Sequence, residues 1–399
     1  MREDWIEIEF KDVVHKIATS NYKVKQKDYL TAGDFPIIDQ GQELIGGYEN
    51  DEKKVLECAL PLVVFGDHTR CVKFINFQFI PGADGIKVLV PKFFINPKYL
   101  FYVVNVLANK IENKGYARHY QLLEKQSIAL PPLPEQRAIV KKLESLFSSL
   151  DAGIADLKKA QQQLKIYRQA VLKKAFEGDL TKTNSDWIIK SFEECTVSFN
   201  GKRVPLNRAT REKRQGEFRY YGATEIVDYI DDYIFDGEFL LIGEDGANLL
   251  SKSKPLAFIV DGKFWVNNHA HIFKPNGDIS IKYLNAYFNS LSLNEYVTGT
   301  AQPKLTKFNL CKIPVKLPID ISDQLLIVKQ IESRLSVCDS IEQNIKESLE
   351  KAEALRQSIL KKAFEGNLLT AKELAECKLA EDYEPANVLL DRIKIDKKS

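Results

Sequence analysis

The sequence predicts an α+β protein in which two globular α+β domains are separated by a long antiparallel two-helix coiled coil, as a pseudo-two-fold internal repeat. Two observations carry this prediction. A long helical segment occurs twice with apolar residues at heptad spacing, and the segments around it are rich in Gly, Pro, aromatic residues and short β-like runs. We divide the chain into globular domains at 1–133 and 181–320, spacer helices at 134–180 and 321–370, and a tail at 371–399.

Composition sets the broad class of the protein. The chain has 399 residues, 57 Lys and Arg against 55 Asp and Glu, and 44% hydrophobic residues. These values exclude a mostly disordered chain, and the charge balance excludes a uniformly cationic protein that coats DNA. We find neither a long apolar run nor a signal-peptide core at the N-terminus, so we expect a cytoplasmic protein without a membrane span. The six Cys form no C-x-x-C pair, which indicates a reduced chain without a metal site.

The first domain, residues 1–133, contains short strand-like runs and one helical stretch. Leu62–Phe65 and Gly85–Val90 read as strands, and turn signals such as Ala32-Gly33-Asp34 and Gly46-Gly47 punctuate the segment. A helix is predicted over Pro97–Asn109. This mixture predicts an α+β domain.

The two spacer helices are the strongest signal. Residues 136–180 and 324–368 align without a gap at an offset of 188, and 19 of the 45 aligned positions are identical. Apolar residues recur every seven positions, which is the spacing of a coiled-coil seam. The predicted seam consists of Leu143, Leu150, Leu157, Leu164 and Val171 in the first copy and Ile331, Cys338, Ile345, Ala352 and Ile359 in the second.

Start and stop signals delimit each helix. Pro134-Glu135 and Ser322-Asp323 suit helix N-termini, and Gly178 and Gly366 suit the left-handed residue beyond a C-terminus. About 42 residues at roughly 1.5 Å each give a helix of about 63 Å. We predict an antiparallel pair, because a parallel pair would force the connection back along the whole spacer. The alternative is an ordinary amphipathic helix on a globular core, but two in-register copies favour the pair.

The second domain, residues 181–320, resembles the first in outline. Phe239–Ile242 reads as a strand, and a helix is predicted over Ile281–Leu293. Gly243-Glu244 follows its strand as Gly66-Asp67 follows the strand in the first domain. A repeated scaffold with different surfaces predicts two similar readers of two different targets.

Signatures of catalysis are missing from the sequence. We find no P-loop, no strand-linked G-x-G-x-x-G, no Asn-Pro-Pro-aromatic tetrapeptide and no convincing nucleophile constellation. His269 and His271 could chelate a metal, and eight carboxylates between 224 and 245 could hold Mg²⁺. We favour an ordinary polar strand face for the histidines and a turn of the fold for Glu244. The prediction is therefore a non-catalytic chain with neither metal nor cofactor.

Basic clusters occur in both halves. The stretch from Gly201 to Arg219 contains seven basic residues and only two acidic ones. Such loops neutralise phosphates and supply Arg for guanine edges, whereas a solvated charged face is the alternative. The candidate DNA-binding residues are Lys202, Arg203, Arg208, Arg211, Lys213, Arg214, Lys304 and Lys307 in the second domain, and Lys23, Lys25, Lys27 and Arg118 in the first.

A family resemblance supports nucleic-acid binding. The stretch 130–140, LPPLPEQRAIV, leads into a long helix that ends in LKKAFEG, and together they resemble the specificity subunit of type I restriction–modification systems. The second helix has the weaker entry LPIDISDQ, and the tail EPANVLLDRI also resembles that family. The resemblance covers essentially the whole chain in architecture, strongly over the helices and weakly over the globular segments.

The resemblance implies a non-catalytic reader of double-stranded DNA. In that family, two target-recognition domains each read one half of an asymmetric bipartite site. Two methyltransferase subunits dock on the helices, restriction and translocase subunits join them, and S-adenosylmethionine belongs to the methyltransferase subunits. Two alternatives stay open: a non-DNA scaffold with two interaction domains on a coiled-coil spacer, which the basic loops disfavour, and a self-contained restriction enzyme, which lacks its catalytic signatures.

Overall fold

Two units make up the computed structural model, which describes residues 2, 4–82, 85–112, 115, 117–299 and 302–396. Met1–Asp156 and Ser348–Ser399 form the first unit, and Leu157–Glu347 forms the second. The architecture is α+β, and two long helices each contribute a part to both units. None of the helices in the described ranges has the length and apolar character of a membrane span.

Three small sheets and two helices form the first domain. Their orders are β2-β8-β5-β6, β4-β3-β7 and β1-β9. The elements are β1 (Ile6–Glu9), β2 (Val14–Ile17), β3 (Phe35–Ile38), β4 (Gly47–Glu49), β5 (Leu62–Gly66), β6 (Val72–Ile75), β7 (Ile80–Pro81), β8 (Ile86–Pro91), α1 (Pro97–Lys110), α2 (Tyr120–Glu124) and β9 (Ser127–Leu130).

The central strand β5 is apolar throughout because both of its faces are covered. Val63 and Phe65 belong to the core that contains α1, while Leu62 and Val64 belong to a second cluster with Ile38. Successive side chains of a strand point to opposite faces, so a strand buried on both faces needs an unbroken apolar run. The antiparallel pairing of β5 with β8 brings Gly66 opposite Ile86. This register places Asp67, the residue after β5, beside the start of β8.

The helix α1 begins where its sequence signals place it. The Asn96 side chain caps it by accepting from the backbone N–H groups of Lys98 and Tyr99, and Pro97 occupies the first turn. Its inner face buries Tyr99, Leu100, Val103, Val104 and Leu107. The prediction of a helix over Pro97–Asn109 is confirmed to within one residue.

The helix α3 (Leu133–Glu177) leads from the first domain into the second. The second domain then contains β10 (Trp187–Ser191), α4 (Phe192–Cys195), β11 (Thr196–Ser198), α5 (Arg208–Lys213), β12 (Gln215–Tyr221), β13 (Ile226–Ile230), β14 (Phe235–Asp236), β15 (Phe239–Gly243), α6 (Asn248–Ser251), β16 (Ala257–Val260), β17 (Lys263–Val266), β18 (Ala270–Pro275), α7 (Ile281–Ser290), α8 (Lys307–Cys311) and β19 (Pro314–Pro318).

The strand orders of the two domains correspond. The sheet β11-β18-β15-β16 has the antiparallel pairings of β2-β8-β5-β6, and β12 pairs with β17 in parallel as β3 pairs with β7. Gly243 lies opposite Ala270, as Gly66 lies opposite Ile86. The helix α7, capped by Ser280, ends at Ser290, three residues before the predicted end. The faint sequence similarity of the two globular segments therefore reflects a shared topology.

The last elements are α9 (Ile321–Phe364), α10 (Ala371–Lys378) and α11 (Ala386–Asp396). Within the first unit, α10 lies along the start of α3, where Lys142 Nζ contacts Glu373 Oε2 at 2.7 Å. Arg137 forms a two-pronged pair with Asp382 at 2.7 Å. The helix α11 buries Leu389 in the core of this unit. The tail is therefore an integral part of the first unit.

Each unit contains its own contacts between the two long helices. In the first unit, Leu143 of α3 shares a core with Ile359 of α9, and Arg356 contacts Asp151. In the second unit, Arg168 of α3 donates to Asp339 at 2.6 Å, and Phe176 shares a core with Ile331. The beginning of α3 thus packs with the end of α9, and the end of α3 packs with the beginning of α9.

Two buried glutamines tie the long helices to the domains. Gln136 Oε1 accepts from the backbone N–H of Asn96, the cap of α1, and its Nε2 donates to the carbonyls of Phe94 and Pro131. Gln324 repeats this arrangement: its Oε1 accepts from Ser280, the cap of α7, and its Nε2 donates to the carbonyls of Pro318 and Asp278. Both side chains are fully buried. We call these two residues the glutamine clamps.

Candidate nucleic-acid interface

Arg203, the first arginine of the basic stretch, folds back into the second domain. Its Nη1 donates to Glu244 Oε2 at 2.9 Å and to the Ala270 carbonyl at 2.7 Å, and 14% of its side chain is exposed. The residue holds the loop before α5 against the end of β15 and the start of β18. Its guanidinium is therefore largely occupied inside the domain.

Two further arginines of this stretch pair with the acidic stretch. Arg211 Nε donates to Asp228 Oδ2 at 3.0 Å, and Arg214 Nε donates to Asp231 Oδ1 at 2.9 Å. Each guanidinium also lies 5.1 Å from an aromatic ring centroid, in Tyr220 and Trp265 respectively. Burial alone would raise the pKa of Asp228, but hydrogen bonds from Gln215 and Arg211 lower it. We call these two ion pairs the arginine ladder.

The arginine ladder changes how the charge of this domain should be interpreted. In the sequence, the basic stretch 201–219 and the acidic stretch 224–245 are separate segments. In the structure two arginines of the basic stretch pair with carboxylates of the acidic stretch, because α5, β12 and β13 follow one another and bring residues seventeen positions apart into contact. The equal spacing of the two pairs is the signal in the sequence that indicates this pairing.

Exposed cations remain at three other positions of the stretch. Lys202 and Lys213 are exposed, and the Lys202 ammonium lies 5.4 Å from the Phe199 ring centroid. The side chain of Arg208 is 86% exposed and pairs with Glu212 one turn further along α5. These side chains remain accessible to a phosphate or a base edge.

A compact polar cluster surrounds Glu244 next to this loop. Its carboxylate lies 2.9 Å from Arg203 and 3.3 Å from Lys304, while Lys307 is exposed at the start of α8. Burial would raise the pKa of Glu244, but the hydrogen bond from Arg203 and the neighbouring cations lower it. Burial also lowers the pKa of His271, whose Nε2 lies 2.8 Å from the Leu305 carbonyl. These contacts make the cluster a packed part of the fold.

The histidine pair gives no sign of a metal centre. His269 contacts Asp245 at 2.8 Å, whereas His271 points to Asn200 and Leu305. Across the described parts of the chain, no group of three potential ligands comes together. The prediction that both histidines lie on one strand face is wrong for His269, which lies in the turn before β18, whereas His271 is the second residue of that strand.

The candidates of the first domain separate into two places. Lys25 and Lys27 are exposed beside the short 3₁₀ turn Gln26–Asp28. Lys23 and Arg118 instead line one cavity of about 480 Å³, next to Asp67. Two lysines outside the predicted set, Lys16 of β2 and Lys87 of β8, line the same cavity. No local motif marks these two lysines, because only strand pairing brings them together.

The predicted seam residues differ in burial along the two helices. In α3, Leu143 and Val171 are buried, while Leu150, Leu157 and Leu164 are half-buried. All five α9 positions are buried: Ile331, Cys338, Ile345, Ala352 and Ile359. Some apolar residues between the seam positions are more exposed, with 45% for Tyr167, 42% for Ile341 and 51% for Leu355, although Phe147 is buried. The helices therefore bury one apolar column and leave parts of another at the surface.

Comparison with known proteins identifies the family. The model of the type I restriction modification DNA specificity domain matches residues 2–161 and 184–351. The chain therefore belongs to this family of specificity subunits, as the resemblance in the sequence implied. It is a family of non-catalytic subunits, in agreement with the prediction of a chain without catalytic signatures.

Individual relatives match this chain over different lengths. The EcoDI type I restriction enzyme specificity subunit of Escherichia coli is 23% identical over 99% of this chain and 95% of its own length. A Haemophilus influenzae relative is 33% identical over 162 residues, which are 41% of this chain and 39% of that protein. The crystal structure of the HsdS subunit from Thermoanaerobacter tengcongensis has the same fold, with a TM-score of 0.60 at 16% identity over 92% of this chain and 98% of that one.

Proposed function

We propose that this chain reads an asymmetric, bipartite site on double-stranded DNA, with each globular domain recognising one half. The observation that carries this proposal is the combination of one strand topology with two different surfaces. The second domain presents Lys202, Arg208 and Lys213 beside the arginine ladder, whereas the first presents a cationic cavity. Similar scaffolds that differ in their exposed groups suit two different half-sites.

The division of the chain into functional parts follows from this proposal. Residues 1–133 and 181–320 would be the target-recognition domains, 134–180 and 321–370 the spacer helices, and 371–399 the tail. We propose that the helices form an antiparallel coiled coil that relates the halves by a pseudo-two-fold axis. The pairing of early α3 with late α9 in one unit, and of late α3 with early α9 in the other, supports an antiparallel pair.

The partners of this chain would dock on the helices. We propose two methyltransferase subunits, joined by restriction and translocase subunits, in the cytoplasm. In the second unit, Ala160, Leu164, Tyr167, Val337 and Ile341 line a groove of about 480 Å³ between α3 and α9. Val337 is 58% exposed, and an apolar strip of this kind is suited to a helix of a partner protein. Helices of the methyltransferase subunits are the occupants we expect.

Binding to defined duplexes tests the proposal. Methylome sequencing of a host with the intact system gives the site, and the assembled complex is then titrated with that duplex and with a scrambled one. Sequence-selective, salt-dependent binding is expected. Scaffold function would instead give no preference between the two duplexes, and catalysis by the chain alone with added cofactors would indicate a self-contained enzyme.

Substitutions can assign the second domain to one half-site. Replacing Lys202, Arg208 and Lys213 together by Gln should weaken binding while leaving the arginine ladder in place. Changes at Arg203, Arg211 or Arg214 test a different property, because each would leave a carboxylate without its partner. A triple variant that binds and methylates like wild type would remove these three residues from the interface.

A further inference from the structure

The cavity of the first domain combines several cations with hydroxyl groups. Its wall contains the ends of β2 and β5, the start of β8 and the loop before α2. Four cationic side chains line it: Lys16, Lys23, Lys87 and Arg118. Thr19 and Ser20 add hydroxyl groups. Among the described residues that line the cavity, Asp67 carries the carboxylate. The described wall of the cavity therefore has an excess of positive charge.

Asp67 does little to reduce the attraction of this cavity for anions. The residue is 3% exposed, and its Oδ1 accepts from the Tyr120 backbone N–H at 2.8 Å. Its Oδ2 lies 3.3 Å from Lys87 Nζ. The carboxylate is thus satisfied inside the domain, where it fixes Lys87 at the cavity wall. Lys16 and Arg118 are exposed, and no carboxylate in the described part of the chain pairs with either.

Aromatic packing sets the position of two of these cations. Lys16 Nζ lies 5.3 Å, and Lys87 Nζ 5.9 Å, from the centroid of the Tyr120 ring. An ammonium group is attracted to the face of an aromatic ring at such distances. Tyr120 is 4% exposed and cannot move away easily. The ring therefore holds two lysines of different strands on the same side of the domain before any ligand arrives.

The second domain closes the corresponding position. Glu244 follows β15 as Asp67 follows β5, and His271 is the second residue of β18 as Lys87 is of β8. There Arg203 inserts its guanidinium onto Glu244, and His271 is 1% exposed with a lowered pKa caused by burial. One domain therefore fills this position with its own cation, and the other leaves an open cationic cavity.

We propose that the cavity of the first domain binds a phosphate group of the DNA backbone and so fixes this domain on the duplex. This inference rests on the proposed DNA-reading function and deepens it. Ammonium and guanidinium groups bind phosphate oxygens through charge-assisted hydrogen bonds, and such contacts set register without reading sequence. In the second domain the Arg203–Glu244 ion pair occupies the corresponding position, so this phosphate contact belongs to the first domain.

The test is the double variant Lys16→Gln with Arg118→Gln in the assembled complex, which keeps the Asp67–Lys87 pair intact. Loss of two phosphate contacts should flatten the slope of log K against log salt by roughly 1.8 units, which weakens binding roughly 60-fold at about 0.1 M salt. The loss should be equal for the cognate and the scrambled duplex. The matched control is Lys53→Gln with Lys125→Gln, two exposed lysines of the same domain outside the cavity, which should bind like wild type.

The outcomes separate this inference from the proposed function. The phosphate site alone would be overturned if the Lys16/Arg118 variant kept the wild-type affinity and the wild-type slope of log K against log salt, while the wild-type complex was sequence-selective. Absence of selective binding by the wild-type complex would overturn the proposed function itself. A loss confined to the cognate duplex would show base reading instead of a backbone contact.

A free phosphate is the other source of the same chemistry. Titration of the complex with inorganic phosphate at constant ionic strength distinguishes the two sources. If inorganic phosphate displaces the duplex only at high concentration, and does so equally from the wild type and the control variant, the cavity binds the DNA backbone. Saturable phosphate binding that the Lys16/Arg118 variant loses, with its duplex binding unchanged, would assign the cavity to a free phosphate and overturn the proposal.

Discussion

Replacing either glutamine clamp by leucine should destabilise one unit of the protein and leave the other as it is. In Gln324→Leu, the Ser280 N–H loses its 2.8 Å acceptor and the Pro318 carbonyl loses its 3.0 Å donor, both inside a fully buried environment. Each buried polar group left without a partner costs about 1–3 kcal/mol. Two such groups give a loss of about 2–6 kcal/mol, and the contact to Asp278 at 3.4 Å adds little.

The assay follows each unit separately through hydrogen exchange of α1 and α7 during denaturant titration. Gln324→Leu should lower the midpoint for α7 by an amount that corresponds to about 2–6 kcal/mol. Gln136→Leu leaves three groups without a partner, at Asn96, Phe94 and Pro131, and should lower the midpoint for α1 by an amount that corresponds to about 3–9 kcal/mol. The matched control is Gln162→Leu on the exposed surface of α3, which should unfold like wild type. Equal midpoints in wild type and both clamp variants would refute the reasoning that these side chains hold helix and domain together.

Three further predictions concern the helices and the tail. Leu143→Ala, at a fully buried position, should cost about 2–5 kcal/mol in a denaturant titration, and Leu157→Ala, at a half-buried one, clearly less. The ion pair with Lys142 and the hydrogen bonds from Thr370 lower the pKa of Glu373 to about 2. The ion pair therefore stabilises the protein fully at a pH above the ordinary carboxyl pKa, and this stabilisation is lost as the pH falls towards the lowered pKa. The difference in melting temperature between wild type and Lys142→Gln should therefore be present at neutral pH and shrink in acid. Residues 1–182 alone should form a homodimer, because the apolar stripe of α3 is then exposed and needs a second helix, and this homodimer should select a palindromic site. Sedimentation checks the dimer, and selection from random duplexes checks the site. A monomer, or an asymmetric site, would contradict this prediction.

The structure also sets a limit on the stability of that homodimer. Val171, Leu172 and Ala175 of a second copy align with Ile359, Leu360 and Ala363, which complete the core of the first unit. The repeat offers no substitute for Leu389 and Ile393 of α11, which are buried in the same core. The shortened chain should therefore dimerise with lower stability than the intact unit.

Regular periodicity explains which parts of the fold the sequence revealed. The runs Leu62–Phe65 and Phe239–Ile242 and the helix from Pro97 are confirmed as β5, β15 and α1, because an apolar run and a capped amphipathic segment are local signals. The pairing of β12 with β17 and the docking of α10 on α3 depend on contacts between distant residues. No local pattern encodes such contacts, so the sequence predicted the elements better than their arrangement.

The candidate site shows the same division. Clusters of Lys and Arg are visible in the sequence, but their net effect depends on what each cation contacts. Arg211 and Arg214 stand within a basic run and yet meet Asp228 and Asp231, whereas Lys16 and Lys87 stand in strands and yet face one cavity. The identity of Gln136 and Gln324 at the same repeat position was the available sign of the clamps, since a polar residue kept at a buried position needs fixed partners.

The two domains show how one scaffold can support two surfaces. The buried polar positions are alike: a carboxylate follows β5 and β15, and a glutamine joins each long helix to the cap of α1 or α7. These groups cannot change without leaving a partner unsatisfied inside the protein. The cations around these carboxylates do differ: Lys87 contacts Asp67 in the first domain, whereas Arg203 contacts Glu244 in the second, so an open cavity in one domain corresponds to an internal ion pair in the other. Because a change at these positions alters charge and shape without disturbing the clamps, the two domains can differ in what they bind and still present it from equivalent places on the helices.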